Sequence, residues 1–534
     1  MFHKKRTLII AAVLFCSLIT GIYYFKEKPG IIKLKEDLTL SVNHPWTQYK
    51  KVESHHKSYD GITDDQTVFM IKKWGQKIGY LSITKRTLPN KDLMVFERMR
   101  FLKNEHSFES TIKIGSNTIK RITFTDWNKK KKLLTHHEDF GEDPTSNPDG
   151  LYHLSSSNQD YEMIMGKTFT SKEMSKSYQD GHVSKLRNLV SEEKTTAAKG
   201  NAISQDFTGS QNDVVESWFM LSDKKLFKDS DIEKDWISFC LANPTKTNNW
   251  FTESGPYNKL PWSIEPFTKL GYGRNLGRFQ DREALDWYNR TKERFFYNLT
   301  LNSYADLLTY REDKETVHWE TEYTSTWLKK AYGTTAPYVD TRHNEYISLF
   351  LSDVSKEFQI GNSESYIQQY ADYLIQQVKK GNTIPVDNGY LIRDYYSPYV
   401  KVENHTHASL NHELGGLNML LRAYRNTNDQ KYYETAMNIL GAIDDLGSDW
   451  IRDNGDLWYQ VNNDHEFTGG DYEQLTLIDL LNTQENLKKS GLSANATLEK
   501  LIHSKIEYLA SANKALLPTV VNLMKDDEKT EAFS

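Results

Sequence analysis

Apolar side chains recur every three or four residues through the second half of this 534-residue chain. One run places Leu410, Leu414, Leu417, Leu421 and Tyr424 on one side of a predicted helix. Helices are predicted at residues 217–221, 235–241, 282–310, 343–358, 363–379, 405–424, 430–446, 472–487 and 494–509. Successive helices with loops of unequal length favour an α/α toroid, a ring of helical hairpins whose inner helix ends surround a pocket.

The polar segments before two of these helices carry the candidate chemistry. The first contains His405, His407 and His412, and the second extends from Trp458 to Tyr472. Polar groups at helix starts can line a cleft, and the unpaired backbone N–H groups there favour anions. A solvated loop of the same composition is the alternative interpretation.

The first half of the chain has a β-like pattern. Runs of branched and aromatic residues predict strands at 68–71, 80–84, 93–96 and 122–124, and residues 111–124 predict a hairpin that turns near Gly115. Residues 151–215 are polar and predict the end of this domain followed by a linker or long loops. The predicted fold is therefore α+β and multidomain, with a β-rich domain over 31–215 and a helical domain over 216–534.

The N-terminal residues 1–30 predict a membrane anchor. Lys4, Lys5 and Arg6 precede an uncharged stretch, residues 7–25, that is close to the ~20 residues needed to span a bilayer. No small-residue cleavage signal follows, which favours a retained anchor over a cleaved signal peptide. Because the basic cluster should stay in the cytoplasm, the bulk of the chain is expected outside the cell membrane, attached to it by a single pass.

Composition excludes several classes of protein. Only two cysteines are present, Cys16 and Cys240, so the chain is not a disulfide scaffold. No Cys/His set has the spacing of a zinc site, and neither a metal nor a cofactor is expected. A net charge of −5 argues against a nucleic-acid partner. Aromatic residues make up 12% of the chain, which suits stacking on sugar rings.

Three segments in the second half resemble, in the same order, the C-terminal domain of D-glucuronyl C5-epimerases. Residues 335–347 resemble the family's Tyr/Pro segment that opens a helix, and residues 384–424 resemble its Pro-Val strand and its helix ending in Arg-Ala-Tyr. Trp458 and Tyr459, with residues 467–472, resemble its Trp-Tyr segment and the start of its last helix. This chain departs from the family at Glu473 and Thr476, which stand where the family has two histidines.

The resemblance implies an α/α toroid that acts on an anionic, uronate-containing polysaccharide. C5 epimerisation needs one group to remove the proton next to the carboxylate, a second to return a proton to the other face, and a cation or donor to stabilise the intermediate charge. Arginine is the natural clamp for a carboxylate. The candidates are Tyr459 and Tyr472 for proton transfer, His405, His407 and His412 as alternative acids or bases, Arg342 and Arg393 as the clamp, and Asp471, Glu413 and Trp458 as further binding or orienting residues.

Three other functions stay open. A glycoside hydrolase needs two carboxylates that face each other across a sugar. A polysaccharide lyase would use the same tyrosine, histidine and arginine set to expel the group at C4. A non-catalytic binding protein for a cell-surface polysaccharide would use the aromatic cleft without turnover. The hydrolase candidates are Glu320, Glu322, Asp464, Glu466 and Asp471.

Overall fold

The computed structural model describes residues 30–43, 47–103, 108–115, 119–128, 134–135, 142–179, 182–194, 196–199, 202–261, 263–265, 268–314, 316–399 and 405–532. The predicted anchor lies outside these residues, except for Gly30. None of the helices within the described ranges is long and apolar enough to cross a bilayer.

The chain forms two compact units. The first comprises Met1–Ser175, Lys185–Trp262 and Pro266–Thr309, and the second comprises Lys176–Ser184, Ser263–Glu265 and Tyr310–Ser534. The first unit therefore continues beyond residue 216, where the sequence predicts the start of the helical domain, and it includes helices as well as strands.

The first unit is built on antiparallel strands that form a five-stranded sheet and a larger sheet. The five-stranded sheet has the order β1-β2-β7-β16-β15. The main path of the larger sheet is β18-β20-β14-β13-β17-β6-β5-β4-β3, and β12 also pairs with β17, β11 with β12, and β8 with β11. The strands up to this point in the chain are β1 Gly30–Lys33, β2 Thr39–Asn43, β3 Thr47–Tyr59, β4 Ile62–Lys73, β5 Gln76–Thr87, β6 Leu93–Phe101, β7 Phe108–Gly115, β8 Ile119–Asp126, β9 Leu134–Thr135, β10 Glu142–Asp143, β11 Gly150–Ser156, β12 Tyr161–Met165, β13 Thr168–Ser177, β14 Val183–Glu193, β15 Thr196–Lys199, β16 Ala202–Gly209, β17 Asp213–Ser222, β18 Asn258–Lys259, β19 Ile264–Glu265 and β20 Gly271–Gly273.

The central strand β17 of the larger sheet is buried on both faces within this unit. Phe219 of β17 belongs to a core that includes Phe207 of the five-stranded sheet, whereas its neighbour Trp218 belongs to a second core that includes Trp236 and Phe296 of the helices. Successive side chains of a strand point to opposite faces, so β17 supplies both cores. The helices of this part of the chain are α1 Ser230–Ala242, α2 Leu276–Phe279, α3 Arg282–Thr291 and α4 Arg294–Glu312, with a 3₁₀ turn at Pro244–Lys246.

Three predictions for this half of the chain are wrong. Residues 217–221 are not helical but lie in β17, whose ten residues are all buried. The linker or long loops predicted within residues 151–215 are not found, because most of these residues lie in strands β11 to β16 and continue the β-rich domain. The predicted hairpin at 111–124 does not form, because β7 pairs with β2 and β16 in one sheet while β8 pairs with β11 in the other.

The second unit contains paired helices and short strands. Its helices are α5 Thr326–Tyr332, α6 Thr341–Phe358, α7 Ser363–Lys379, α8 Leu410–Thr427, α9 Gln430–Leu446, α10 Leu475–Lys489, α11 Ala496–Ser511 and α12 Pro518–Ala532, with a 3₁₀ turn at Gly447–Trp450. Its further strands are β21 Glu320–Thr321, β22 Thr324–Ser325, β23 Tyr338–Asp340, β24 Thr383–Val386, β25 Gly389–Ile392, β26 Tyr395–Tyr396, β27 Ala408–Ser409, β28 Trp458–Val461 and β29 Phe467–Gly470.

The helices of the second unit pack as successive hairpins. Helix α6 contacts α7, α8 contacts α9, and α10 contacts α11, while α8 also contacts both α6 and α10. The predicted apolar face of α8 is confirmed, since Leu410, Leu414, Leu417 and Leu421 are buried in the main core of this unit. This alternation of helices is the arrangement predicted for the helical half, and it places the starts of α6, α8 and α10 together.

Candidate functional site

Short strands lead into the starts of α6, α8 and α10. Strand β23 ends at Asp340, the N-cap of α6, and β27 ends at Ser409, the N-cap of α8, while β29 ends shortly before α10. Strand β23 pairs with β26, and β28 pairs with both β27 and β29, so strand pairing fixes these connections. We call the side chains gathered here the helix-start cluster: Asp340, Asp394, His407, His412, Tyr459 and Tyr472.

Asp394 is the buried centre of this cluster. Its Oδ2 lies 3.0 Å from Nε2 of His407, and its Oδ1 lies 3.5 Å from Nδ1 of His412. The Ser409 amide donates to Oδ1 at 2.8 Å, and the Ser409 hydroxyl donates to Oδ2 instead of capping α8. Burial alone would raise the pKa of Asp394, but His412, His407 and the Ser409 hydroxyl outweigh it and hold the pKa below its usual value. The carboxylate therefore stays ionised.

His412 has one ring nitrogen engaged inside the protein. Its Nδ1 lies 2.7 Å from the Thr341 hydroxyl, which itself donates to the Asp394 carbonyl oxygen at 3.1 Å. A hydroxyl has one proton, so this hydrogen-bond network assigns the proton between His412 and Thr341 to Nδ1. Nε2 is then an acceptor, and it has no hydrogen-bond partner within the described part of the chain. Burial lowers the pKa of His412, although Asp394 opposes this, so the ring is neutral near pH 7.

His407 is enclosed on every side. Its side chain has no exposed surface, and its Nδ1 lies 2.9 Å from the Tyr332 hydroxyl while Nε2 faces Asp394. The rings of Trp327, Tyr332 and Tyr395 lie 5.5 to 5.9 Å from its ring, centre to centre. These contacts favour a role in holding Asp394 over direct proton transfer to a substrate.

The two predicted tyrosines lie side by side. The rings of Tyr459 and Tyr472 are 5.6 Å apart at an angle of 86°, and Tyr459 is 6.0 Å from the ring of His407. Burial raises the pKa of both hydroxyls, and the charge of Asp394 adds to the effect at both. Both therefore hold their protons at neutral pH. Tyr472 is 49% exposed, so its phenol is the part of the cluster that solvent reaches most easily.

Arg342 is neutralised within the protein. One of its terminal nitrogens donates to Glu345 at 2.6 Å and to the Asn411 carbonyl at 3.0 Å, and the other donates to Asp479 at 2.6 Å. The guanidinium also lies over the ring of Tyr346. Arg342 thus ties α6 to α8 and α10. This geometry favours a structural role over the predicted role as a carboxylate clamp.

Arg393, the second predicted clamp, has no acidic partner among the described residues. It is 3% exposed, and its guanidinium donates to the Thr406 carbonyl and to the Asn463 side chain. Its Nε is buried without a partner in the described part of the chain. Burial lowers the pKa of Arg393 to about 10, and burial together with the Arg393 charge lowers the pKa of His405. A desolvated cation without a counter-ion is well suited to bind a carboxylate.

The other predicted binding residues are engaged in internal contacts. Asp471 accepts from Lys505 at 2.7 Å and from Thr476. Glu413 is buried, its one hydrogen-bond donor among the described residues is the Ile392 amide, and burial strongly raises its pKa. The ring of Trp458 lies under the guanidinium of Arg452, 4.9 Å away. These three side chains support the loops around the helix-start cluster.

Two of the hydrolase candidates are neutralised by lysines. Glu322 lies 2.9 Å from Nζ of Lys314, and Asp471 lies 2.7 Å from Nζ of Lys505. Glu473, which replaces a histidine of the resembled family, pairs with Lys514 on the surface. These ion pairs weaken the case for two carboxylates acting across a sugar.

Three residues of the site are not identified from the sequence: Asp394, which lies beside both histidines, Thr341, which bonds to His412, and Ser409, which donates to Asp394. The one sequence feature that could have indicated Asp394 is its position, since it follows the apolar strand β25 and Arg393. A polar residue at a strand end is too common to be singled out without the fold. Across the described ranges, no group of three or more His, Cys, Asp and Glu side chains is arranged to hold a metal ion.

No family model and no curated protein matches this chain. Among solved structures, an unsaturated glucuronyl hydrolase from Bacillus sp. GL1, responsible for the degradation of glycosaminoglycan, is 13% identical, with 44% of this chain matching 57% of the hydrolase and a TM-score of 0.31. The chain therefore spans less than two thirds of that enzyme's length.

Two isomerising enzymes show similar weak matches. A D-mannose isomerase is 13% identical over 52% of this chain and 70% of its own, with a TM-score of 0.35. A cellobiose 2-epimerase from Bacillus thermoamylovorans B4167 is 11% identical over 54% of this chain and 71% of its own, also with a TM-score of 0.35. These structural neighbours are sugar hydrolases, isomerases and epimerases.

Proposed function

We propose that this chain is an enzyme that transfers protons at C5 of uronic acids in a polysaccharide, acting as a C5-epimerase. The observation that carries the proposal is the arrangement at the helix starts. A neutral histidine with a free acceptor nitrogen, a protonated and exposed tyrosine, and an arginine without an acidic partner in the described ranges lie on neighbouring segments.

The roles follow from the protonation states. His412, with Nε2 as an acceptor, removes the proton next to the carboxylate, and Tyr472, with its proton retained, donates one to the other face. They come from different segments, α8 and the connection that precedes α10, as proton transfer on two faces requires. Tyr459 orients Tyr472, and Asp394 stabilises the imidazolium that forms on His412.

The substrate carboxylate is bound by Arg393 in this proposal. The guanidinium supplies paired donors to the carboxylate and stabilises the charge that develops when the C5 proton leaves. The starts of α6, α8 and α10 lie nearby and add partial positive charge from their unpaired N–H groups. This set of groups suits proton transfer better than hydrolysis, which needs a pair of carboxylates available to the sugar.

The proposed location is the outer side of the cell membrane. It rests on the sequence of residues 1–30, where basic residues precede an uncharged stretch. A uronate-containing polysaccharide at the cell surface would be within reach of a protein anchored in this way.

Incubation with a glucuronate-containing polymer in heavy water is expected to place deuterium at C5, because the returned proton comes from a solvent-exchangeable side chain. The incorporation is measured by NMR spectroscopy, together with the chain length of the polymer. A polymer whose carboxylates have been reduced to alcohols serves as the matched control and should take up no deuterium, since its C5 proton is not acidic.

The other candidate functions give different products in the same experiment. New reducing ends would identify a hydrolase, and an unsaturated, ultraviolet-absorbing product would identify a lyase. Retention of the polymer with no chemical change would identify a binding protein. Any of these three results without deuterium at C5 of intact chains would contradict the proposal.

The pH dependence of kcat/KM is expected to report on His412. Because burial lowers its pKa, the unprotonated base persists below the ordinary histidine value of about 6.5, and activity should fall only at more acidic pH. His412→Asn should lower kcat by about 100-fold or more and remove this acid limb. His503→Asn, at an exposed position of α11, is the matched control. An acid limb centred above pH 6.5 in the wild type would argue against this role.

A further inference from the structure

The first unit contains a polar cavity that the proposed reaction does not use. Its volume is about 190 Å³. Strand β18, the segment before it and the start of α2 contribute most of the lining. The lining residues considered for ligand binding are Trp250, Tyr257, Asn258, Lys259, Asn275 and Arg278.

Lys259 is a buried cation in this lining. The residue is 6% exposed, its Nζ lies 3.4 Å from the Leu260 carbonyl oxygen, and it lies 5.9 Å from the centre of the Tyr272 ring. Within the described ranges no carboxylate lies at ion-pair distance from Lys259, and Asp143 acts on it only through its charge. Burial lowers the pKa of Lys259, with Asp143 opposing. Lysine side chains are almost never this deeply buried unless they are paired, so the cavity holds a cation that lacks its partner.

Arg278 adds a second cation to the same cavity. Its guanidinium donates to the Thr247 carbonyl oxygen and forms no ion pair with a described residue. Burial lowers the pKa of Arg278 to about 10, although Asp281, Glu283 and Asp143 act in the opposite direction. Arginine has five N–H donors, and the bond to Thr247 is the one that the Arg278 guanidinium makes to a described residue.

Asp143 is the acidic residue of the lining, and its carboxylate is already engaged. The Tyr272 hydroxyl donates to it, as do the Thr145 amide at 3.0 Å and the Thr145 hydroxyl at 2.8 Å. Among the side chains that line the cavity, the two cations Lys259 and Arg278 face the single carboxylate of Asp143, while Asp281 and Glu283 act on Arg278 from outside the lining. A buried net charge is expected to attract an anion.

The remaining lining groups suit a hydroxylated ring. Asn258 donates to Asn248 at 2.8 Å, but its side-chain oxygen is buried without a partner among the described residues. Trp250 and Tyr257 also line the cavity, and their rings lie 5.2 Å apart. The volume is below the ~300–1,000 Å³ of pockets for drug-sized ligands, which suits one sugar ring.

We propose that this cavity binds a single hexuronate residue, with its carboxylate on Lys259 and Arg278 and its hydroxyl groups on the amide side chains. The inference is independent of the proposed reaction, since none of these residues belongs to the helix-start cluster. It assigns a carbohydrate-binding role to the first unit.

Calorimetric titration of the full chain with D-glucuronate, with D-glucose as the neutral counterpart, tests the proposal. Lys259→Met and Arg278→Met should each weaken glucuronate binding about tenfold or more, because each loses a hydrogen bond to a charged group. Lys224→Met, at an exposed position of the same unit, should leave the affinity unchanged. Arg393→Met, at the helix-start cluster, should not weaken the binding of glucuronate to the cavity that Lys259 lines.

A second measurement on the wild-type chain locates the ligand even if a variant fails to fold. Glucuronate should protect Lys259 from reductive methylation, as read by peptide mass spectrometry, and glucose should not. The proposal is overturned if glucuronate does not bind, if it binds Lys259→Met as tightly as the wild type, or if glucose or inorganic phosphate binds as tightly as glucuronate. Binding that is lost only with Arg393→Met would place the ligand at the helix starts and would also overturn it.

Discussion

Replacing Tyr472 with phenylalanine is expected to lower kcat on a glucuronate-containing polymer by about 100- to 10,000-fold, the usual contribution of a positioned general acid. The substitution removes only the hydroxyl group. Tyr472 is 49% exposed, and the raised pKa of its phenol keeps it protonated at neutral pH, so it is poised to donate to a substrate. The measurement is the rate of deuterium incorporation at C5 together with the separate values of kcat and KM.

Tyr399→Phe is the matched control for this variant. Tyr399 is also exposed and lies in the same unit, where its ring stacks on His182, outside the helix-start cluster. It should keep wild-type kcat. Because Tyr472→Phe keeps the aromatic ring, its thermal unfolding temperature should change no more than it does for an ordinary surface substitution. A Tyr472→Phe enzyme with unchanged kcat would remove Tyr472 from the reaction and leave Tyr459 as the nearest donor.

The helical half of the fold follows closely from the sequence. Helices α7 and α9 begin and end at the predicted residues, Ser363–Lys379 and Gln430–Leu446. Side-chain oxygens of Asn362 and Asp429 cap the starts of these helices. Apolar residues then recur at helical spacing up to the last turn of each. Prediction was less accurate where polar residues precede a helix. The sequence predicts that residues 405–409 belong to helix α8, but in the structure they are a non-helical segment that precedes it.

The β-rich half was harder to predict because the central strand of its larger sheet, β17, is buried on both faces. A strand of this kind has no alternation of apolar and polar residues, and a short apolar run such as residues 217–221 reads equally well as a helix. The neighbours of β7 in the sheet, β2 and β16, come from distant parts of the sequence. Local turn signals near Gly115 carry no information about such pairing.

Only part of the candidate site could be predicted from the sequence, because some of its residues are defined by contacts between distant segments. Tyr472 and His412 stand at helix starts and were identified, whereas Asp394 was not, because its importance comes from the two histidines that approach it in space. The sequence alone also could not show which of Arg342 and Arg393 has a structural role and which is suited to bind a carboxylate. Only the fold pairs Arg342 with two carboxylates and leaves Arg393 with none among the described residues.

Replacing Arg342 with methionine is expected to lower the free energy of unfolding by about 3–5 kcal/mol, because it leaves two carboxylates buried without their cation. Glu345 and Asp479 are 5% and 7% exposed, and burial raises the pKa of Asp479 even with Arg342 beside it. The packing around the guanidinium is tight. A Cβ atom at Gly415 would lie 2.4 Å from Arg342 and 2.0 Å from Glu345, so α8 approaches α6 there through a residue without a side chain.

Urea unfolding of three proteins separates the charge effect from the loss of packing. Arg425→Met, in α8, removes an arginine that donates to Asn486 and Ser490, and it should cost less than Arg342→Met, about 1.5–3 kcal/mol, because it leaves no buried charge behind. A triple variant that combines Arg342→Met with Glu345→Gln and Asp479→Asn should regain a large part of the stability, because it has no unpaired buried charge. If the triple variant is no more stable than Arg342→Met, the cost lies in packing and not in charge. If Arg342→Met costs no more than the control, the starts of α6, α8 and α10 are held together by other contacts, and the helix-start cluster does not depend on Arg342.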